Sequence, residues 1–170
     1  MLGDFDLEGL YDEHAQALFA FLLNFTRDEN DTRDILQEVF VKLARQPGML
    51  TAARDRRAFL IRLAHNAAID VMRRRGARQK HQEQFGCEEV SQFAPAAEPD
   101  EAAFRHALSG ALGQLPPQQR AVVHLKLWEG QTFEQIAAAL DIPLNTAASR
   151  YRYGLDKLRG LLRPLYEELK

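Results

Sequence analysis

The sequence predicts an all-α protein built as two small helical domains, and three observations predict it. Apolar residues recur at spacings of three and four along almost every periodic stretch. No run alternates apolar and polar residues as a half-buried strand does. With 46% hydrophobic residues in 170, the chain has enough apolar surface for a packed core.

The elements follow in order. Asp6 is placed to cap a first helix with Leu7, Leu10, Tyr11, Ala15, Leu18, Phe19 and Leu22 on one side, and "RDEND" breaks it. A second helix is expected from Asn30 or Asp31, whose short side chains accept hydrogen bonds from the free amides of a first turn. It carries Ile35, Leu36, Val39, Phe40 and Leu43 inward, and "QPGM" ends it. A third starts at about Arg57 and runs through Phe59, Leu63, Ala67, Val71 and Met72 toward Gly76. Residues 80–98 have weak periodicity and several acids. A structureless stretch of that length is uncommon inside a compact domain and reads as a flexible linker. Pro99 followed by Asp100 and Glu101 suits the start of a fourth helix, running to about Gly113. "LPPQQR" opens a fifth with Val122, Val123, Leu125 and Leu127, which "EGQT" closes. The domains are thus expected at 1–79, with three helices, and 99–170, with four.

The last two helices lie in "TFEQIAAALDIPLNTAASRYRYGLDKL", residues 132–158. Thr132 can cap the first, whose Phe133, Ile136, Ala137 and Leu140 form one buried side, with Ala137 small enough for a second helix to cross closely. Asp141-Ile142-Pro143 supplies a short turn that cannot continue the helix, which makes a helix-turn-helix. At about 100° per residue, Ala147, Tyr151, Leu155, Leu158 and Leu162 of the second helix point inward, and Asn145, Ser149, Arg152 and Asp156 point outward. Ala148 and Tyr153 flank the outer strip, and Arg150 stands on its shoulder. Such a helix can enter a major groove, Arg152 pairing with a guanine edge while Ser149 and Arg150 hold phosphates. The plainer alternative is bundle architecture with solvated arginines.

A second basic region spans 54–78, with Arg54, Arg56, Arg57, Arg62, Arg73, Arg74, Arg75 and Arg78 against only Asp55 and Asp70. Phosphate contacts and simple complementation of a helix C-terminus both account for it. On the same helix His65 reads as a surface or internally satisfied residue, whereas Asn66 can bond a base edge. Asp34 and Glu38, one turn apart, read as a solvated helix face or a docking site for a polar partner rather than as an acid/base pair.

Formal net charge is -2, from 22 basic and 24 acidic residues. That balance argues against a protein that grips nucleic acid unaided. Residues 1–79 carry 12 of each sign, 80–114 carry 2 basic and 6 acidic, and 115–170 carry 8 and 6, so the linker is an acidic strip. One cysteine, Cys87, allows no internal disulfide, and neither a metal-ligand cluster nor a cofactor motif is visible. The acidic "MLGDFDLEGLYDEH" is unlike a basic signal peptide, and no apolar run reaches the roughly 18 residues needed for a bilayer, so a cytoplasmic chain without membrane insertion is expected.

In order and spacing, "DTRDILQEVFVKLAR", "RAFLIRLAHNAAIDVMRRR" and "LPPQQRAVVHLKLWEGQTFEQIAAALDIPLNTAASRYRYGLDKLR" resemble a bacterial RNA polymerase sigma factor of the extracytoplasmic-function class in the sigma-70 family. The resemblance covers nearly the whole chain apart from the linker. It implies a non-catalytic transcription initiation factor that binds core RNA polymerase and promoter DNA, with an anti-sigma factor as a further partner. Asp34, Gln37, Glu38, Val39 and Phe40 match the polymerase-docking segment, with Val39 and Phe40 expected at its surface edge. Arg54, Arg56, Arg57, Arg62, Asn66, Arg73, Arg74 and Arg75 match the part that handles the opened -10 element. Thr132, Asn145, Thr146, Ala148, Ser149, Arg150, Arg152 and Tyr153 fall on the segment that reads the -35 element, where many relatives have a basic residue in place of Ala148 and Tyr153. The rival reading is a freestanding helix-turn-helix regulator that needs no polymerase.

Overall fold

The structure, a computed structural model, describes residues 5–79 and 99–168. The expected linker lies outside the described residues, and so does the side chain of Arg78. Eight helices and no strands occur among the described residues: α1 (Leu7–Thr26), α2 (Glu29–Arg45), α3 (Gly48–Thr51), α4 (Arg56–Gln79), α5 (Pro99–Gly113), α6 (Pro117–Leu127), α7 (Phe133–Leu140) and α8 (Leu144–Glu168).

The helix ends follow from the local sequence. The Asp6 carboxylate accepts the Gly9 N–H at 2.8 Å and caps α1, as expected. Arg27 closes α1 in the left-handed region (φ 60), its N–H donating to the Leu23 carbonyl at 2.9 Å. The start of α2 differs from expectation: Asp28 is the cap, accepting the Asp31 N–H at 2.9 Å. Asn30 and Asp31 therefore lie inside the first turn, because the left-handed Arg27 leaves Asp28 in the extended backbone that a cap needs. The loop after α2 also contains α3, a single turn that no apolar periodicity announces.

In the first unit, α1, α2 and α4 pack around Leu18, Phe21, Leu22, Phe25, Ile35, Leu43, Leu60 and Ala64. All five inward positions expected of α2 are buried. Val39 and Phe40 belong to this interior, 2% and 7% exposed, rather than standing at a surface edge. Tyr11 and Leu127, by contrast, expected to point inward, are exposed, since each lies at the margin of its helix's apolar stripe.

In the second unit, α5, α6 and α8 enclose Ala111, Leu112, Leu115, Val123 and Leu158. Gly154 makes the close approach of α8 to α6 possible, because a Cβ there would stand 2.8 Å from Val123 Cγ2. Ala139 is wholly buried, and Ala137, expected to face a crossing helix, is half-buried and packs against the same apolar cluster.

The interiors of the two units join. Ala121, Val122, Leu125, Ile136, Ala139, Leu140 and Ala147 of the second unit continue the apolar cluster of the first. Along this seam α6 lies against α1, and α7 against α4.

Candidate nucleic-acid interface

The helix-turn-helix forms as its sequence dictates. Thr132 and Gln135 make a reciprocal capping box at the start of α7, Thr132 Oγ1 accepting the Gln135 N–H at 3.2 Å and Gln135 Oε1 accepting the Thr132 N–H at 2.9 Å. Asp141 adopts the left-handed conformation (φ 54), and the Ile142 N–H returns to the Ala137 carbonyl at 3.0 Å. α8 then begins at Leu144, with Ala147 fully buried beneath it.

On the outer strip of α8, Asn145, Arg152, Tyr153 and Asp156 are exposed. Thr146, Ala148, Ser149 and Arg150 are half-buried, so Ser149 sits deeper than its expected outward position. The Arg152 guanidinium lies 5.1 Å from the centre of the Tyr153 ring, which pairs a cation with an aromatic face at the surface. Tyr151 is partly buried and meets Phe133 edge-on at 5.5 Å, fixing α8 on α7. Thr132, placed with these residues by resemblance, is exposed and used by its cap.

Along α4 and its approach, Arg54, Arg56, Arg57, Arg62, Asn66, Arg73, Arg74 and Arg75 all have exposed positions. They do not form one free surface. Arg57 is ion-paired with Glu129 of the second unit, and Arg62 donates to the Ala138 carbonyl of α7. Arg75 is ion-paired with Asp31 at 2.7 Å and Asp28 at 3.3 Å, tying the C-terminal part of α4 to the start of α2. The Asp28 carboxyl lies below its ordinary value, chiefly because the Asp31 N–H donates to it and also because of Arg75. Asp31 lies above its ordinary value because burial outweighs Arg75.

The outer face of α2 presents Asp34, Gln37 and Glu38 to solvent. Beside them runs an apolar groove of about 610 Å³, lined by Leu7, Tyr11, Phe19, Leu36, Phe40 and Val41. Tyr11 and Phe40 meet edge-on across it at 4.9 Å. Phe40 thus contributes to this face from within the core, and Val39 does not line the groove.

Several residues at the seam escaped the sequence reading. His65 is not a surface residue: it is buried, 5.2 Å from the Phe25 ring, and its ionisation is pushed down to about 4, first by burial and then by Arg150. His124 is buried opposite it across Phe21, with its Nδ1 3.3 Å from the Asn24 amide nitrogen, and burial pushes it down to about 4 as well. Arg120, 5% exposed, donates to the Phe25 carbonyl at 2.6 Å and to the Gly113 and Leu115 carbonyls at 3.2 Å. A single cation thereby satisfies carbonyls at the C-terminal ends of α1 and α5, where the helix dipoles are negative. Its place in the polar run "PPQQR" gave no sign of this, although a polar residue at helical spacing within an apolar stripe is the form such a signal takes.

Comparison with known proteins agrees with this geometry. The Sigma-70 region 2 family model matches residues 10–78, and the Sigma-70, region 4 model matches 111–160. The ECF RNA polymerase sigma factor SigL of Mycobacterium tuberculosis is 34% identical over 163 residues, which cover 94% of this chain and 90% of that protein. The chain belongs to the ECF RNA polymerase sigma factors. The RNA polymerase sigma factor CarQ of Myxococcus xanthus is 32% identical over 164 residues, covering 95% of this sigma factor and 92% of CarQ. Among solved structures, the sigma factor RpoE of Bartonella quintana, in complex with the anti-sigma factor NepR, shares the fold at a TM-score of 0.76. It is 22% identical, with 93% of this chain and 97% of that one covered. CnrH, in complex with the cytosolic domain of CnrY, matches at a TM-score of 0.65 and 25% identity, covering 93% and 88%. As a member of a non-catalytic family, this sigma factor directs transcription initiation to promoters. No helix among the described residues is long and apolar enough to cross a membrane.

Proposed function

We propose that the two units divide promoter reading. α4 and the loop before it handle the opened -10 element, with Asn66 contacting a base and Arg54, Arg56, Arg57, Arg62, Arg73 and Arg74 on the backbone. α8 reads the duplex -35 element, Arg152 at a base edge, Asn145 and Tyr153 beside it, and Ser149 and Arg150 on phosphates. The acidic and polar α2 face of Asp34, Gln37 and Glu38, together with the neighbouring groove, docks on core polymerase. An anti-sigma factor that offers an apolar helix to the same groove would compete for it, and the similar RpoE is solved in complex with an anti-sigma factor.

The observation that carries this reading is the pairing of two exposed arginine-bearing helices, one per unit, with a net charge of -2. Too little cationic surplus is present for strong unaided phosphate binding. Polymerase, by fixing the distance between the helices, makes the second contact effectively intramolecular.

Run-off transcription with purified core enzyme on a genomic fragment library tests the proposal. The expected result is initiation at a small set of sites, reduced about tenfold by Arg152→Ala, as the loss of one base contact implies. Initiation insensitive to Arg152→Ala and to Asn66→Ala would remove both residues from promoter reading.

A further inference from the structure

The promoter contacts proposed for α4 end at Arg74, although Arg75 completes the run of three arginines. Successive residues of a helix turn by about 100°, so three in a row do not share one face. Arg73 and Arg74 are exposed. Arg75 reaches the start of α2 instead, its guanidinium donating to Asp31 Oδ1 at 2.7 Å and to Asp28 Oδ2 at 3.3 Å. One planar fork thus bridges two carboxylates, which the compact ammonium of a lysine does not reproduce.

Both acceptors belong to a turn that is itself held in place. Asp28 caps α2, its Oδ1 accepting the Asp31 N–H at 2.9 Å while Oδ2 faces Arg75. Thr32, fully buried, donates its hydroxyl to the Asp28 carbonyl at 2.8 Å and lies 2.9 Å from the Thr26 hydroxyl at the end of α1. The first turn of α2 is therefore tied to α1 by hydroxyls and to α4 by Arg75. Burial works against the charge on Asp31 and lifts its ionisation above the ordinary value, and Arg75 is the cation that opposes this. Asp34 and Glu38 follow Asp31 at three and seven residues, so the clasped turn leads directly into the docking face along one side of α2.

We propose that Arg75 is a positioning residue rather than a phosphate contact: its fork clasps α4 to the first turn of α2, holding the docking face of α2 and the Arg73 and Arg74 side chains in one frame. This role rests on the docking and backbone contacts proposed above for those two surfaces. Without the clasp, α2 keeps its cap but loses its link to α4. Core polymerase then has to order the docking face as it binds, and its affinity falls.

The test uses the full chain, core polymerase and a promoter fragment recovered by run-off transcription. Arg75→Gln should weaken core binding about fivefold, the upper range for a partly exposed ion pair. With core enzyme saturating, the salt dependence of promoter binding should stay as in the wild type, whereas Arg73→Ala and Arg74→Ala should each lower that slope by about one. Asp31→Asn should weaken core binding as Arg75→Gln does, and the two together no more than either alone, because they remove the same link. Arg75→Lys, which keeps one ion pair, should return core binding to within about twofold of wild type. Unchanged far-ultraviolet circular dichroism shows that each variant is folded. A folded Arg75→Gln variant with wild-type core affinity, or with a salt slope lowered by about one, overturns the clasp. Additive losses from Arg75→Gln and Asp31→Asn overturn it too, since they mark two independent contacts. If Asp34→Ala and Glu38→Ala leave core binding intact, the docking role of α2 falls; if Arg73→Ala and Arg74→Ala leave the salt slope intact, their backbone role falls. In either case the paired result for Arg75→Gln and Asp31→Asn still decides whether Arg75 is a clasp.

Discussion

The two arginine-bearing helices are held in opposite ways. α8 rests its inner face on its own unit, through Leu158, Gly154 and the edge-on pair of Phe133 and Tyr151, and leaves Asn145, Arg152 and Tyr153 in solvent. α4 has a core side facing α1 and α2 and a flank pressed by α7, so Arg57 and Arg62 are engaged by the other unit. The outer strip of α8 faces solvent, whereas two arginines of α4 are already engaged across the seam. Charge alone does not reveal this, since every one of these arginines has an exposed position. The difference lies in which partner each guanidinium already has.

Changes confined to the seam should therefore act on α4 and leave α8 in place. Acid should produce the largest effect. His65 and His124 are held neutral in the fold, with ionisation near 4 against an ordinary value of 6.5. The unfolded chain thus binds more protons between those values, and stability that is complete above about pH 7 falls as pH drops toward 4. Between them the two histidines should cost about 4 kcal/mol by pH 5, read from urea midpoints across that range. His124→Gln, which keeps an acceptor for Asn24, should remove about half of the slope. A flat profile would mean that the histidines are hydrated and the seam is open.

Arg120→Met comes next. It removes the donor shared by the Phe25, Gly113 and Leu115 carbonyls while keeping similar bulk, and should destabilise the protein by about 3 kcal/mol in the same urea measurement. A loss below about 1 kcal/mol would show that water replaces the guanidinium and that the two units are not joined through it. Gly154→Val probes the other helix. Its side chain would collide with Val123 where even a Cβ has only 2.8 Å, at a cost of about 2 kcal/mol. The variant should lose -35-dependent initiation while keeping the acid slope set by His65 and His124; a flattened slope would make α8 part of the seam.

Much of this architecture was legible in the sequence because it is local. The spacing of Ile35, Leu36, Val39, Phe40 and Leu43 gave the buried side of α2, and Thr132 with "DIP" gave the cap and turn of the helix-turn-helix, though not the reciprocal bond from Gln135. The outer strip of α8 followed from the helical angle alone, with Ser149 set deeper than expected. The seam was not legible, since His65, Arg120, His124 and Glu129 look like ordinary polar residues of surface helices. Their burial depends on contacts such as Asn24 with His124, a hundred positions apart. The start of α2 was misplaced for a smaller reason, the left-handed Arg27, a conformation that a non-glycine residue seldom adopts and sequence does not advertise.

Equilibrium binding of a fluorescent promoter duplex at physiological salt, by the chain alone and by its mixture with core polymerase, tests the central claim most directly. With a net charge of -2 and Arg57 and Arg62 engaged at the seam, the lone chain should show at most weak binding that is indifferent to sequence. The mixture should bind tightly, with discrimination against an altered -35 element that Arg152→Ala abolishes. Tight, sequence-specific binding by the chain alone, or a mixture no tighter than its separate parts, would contradict the account.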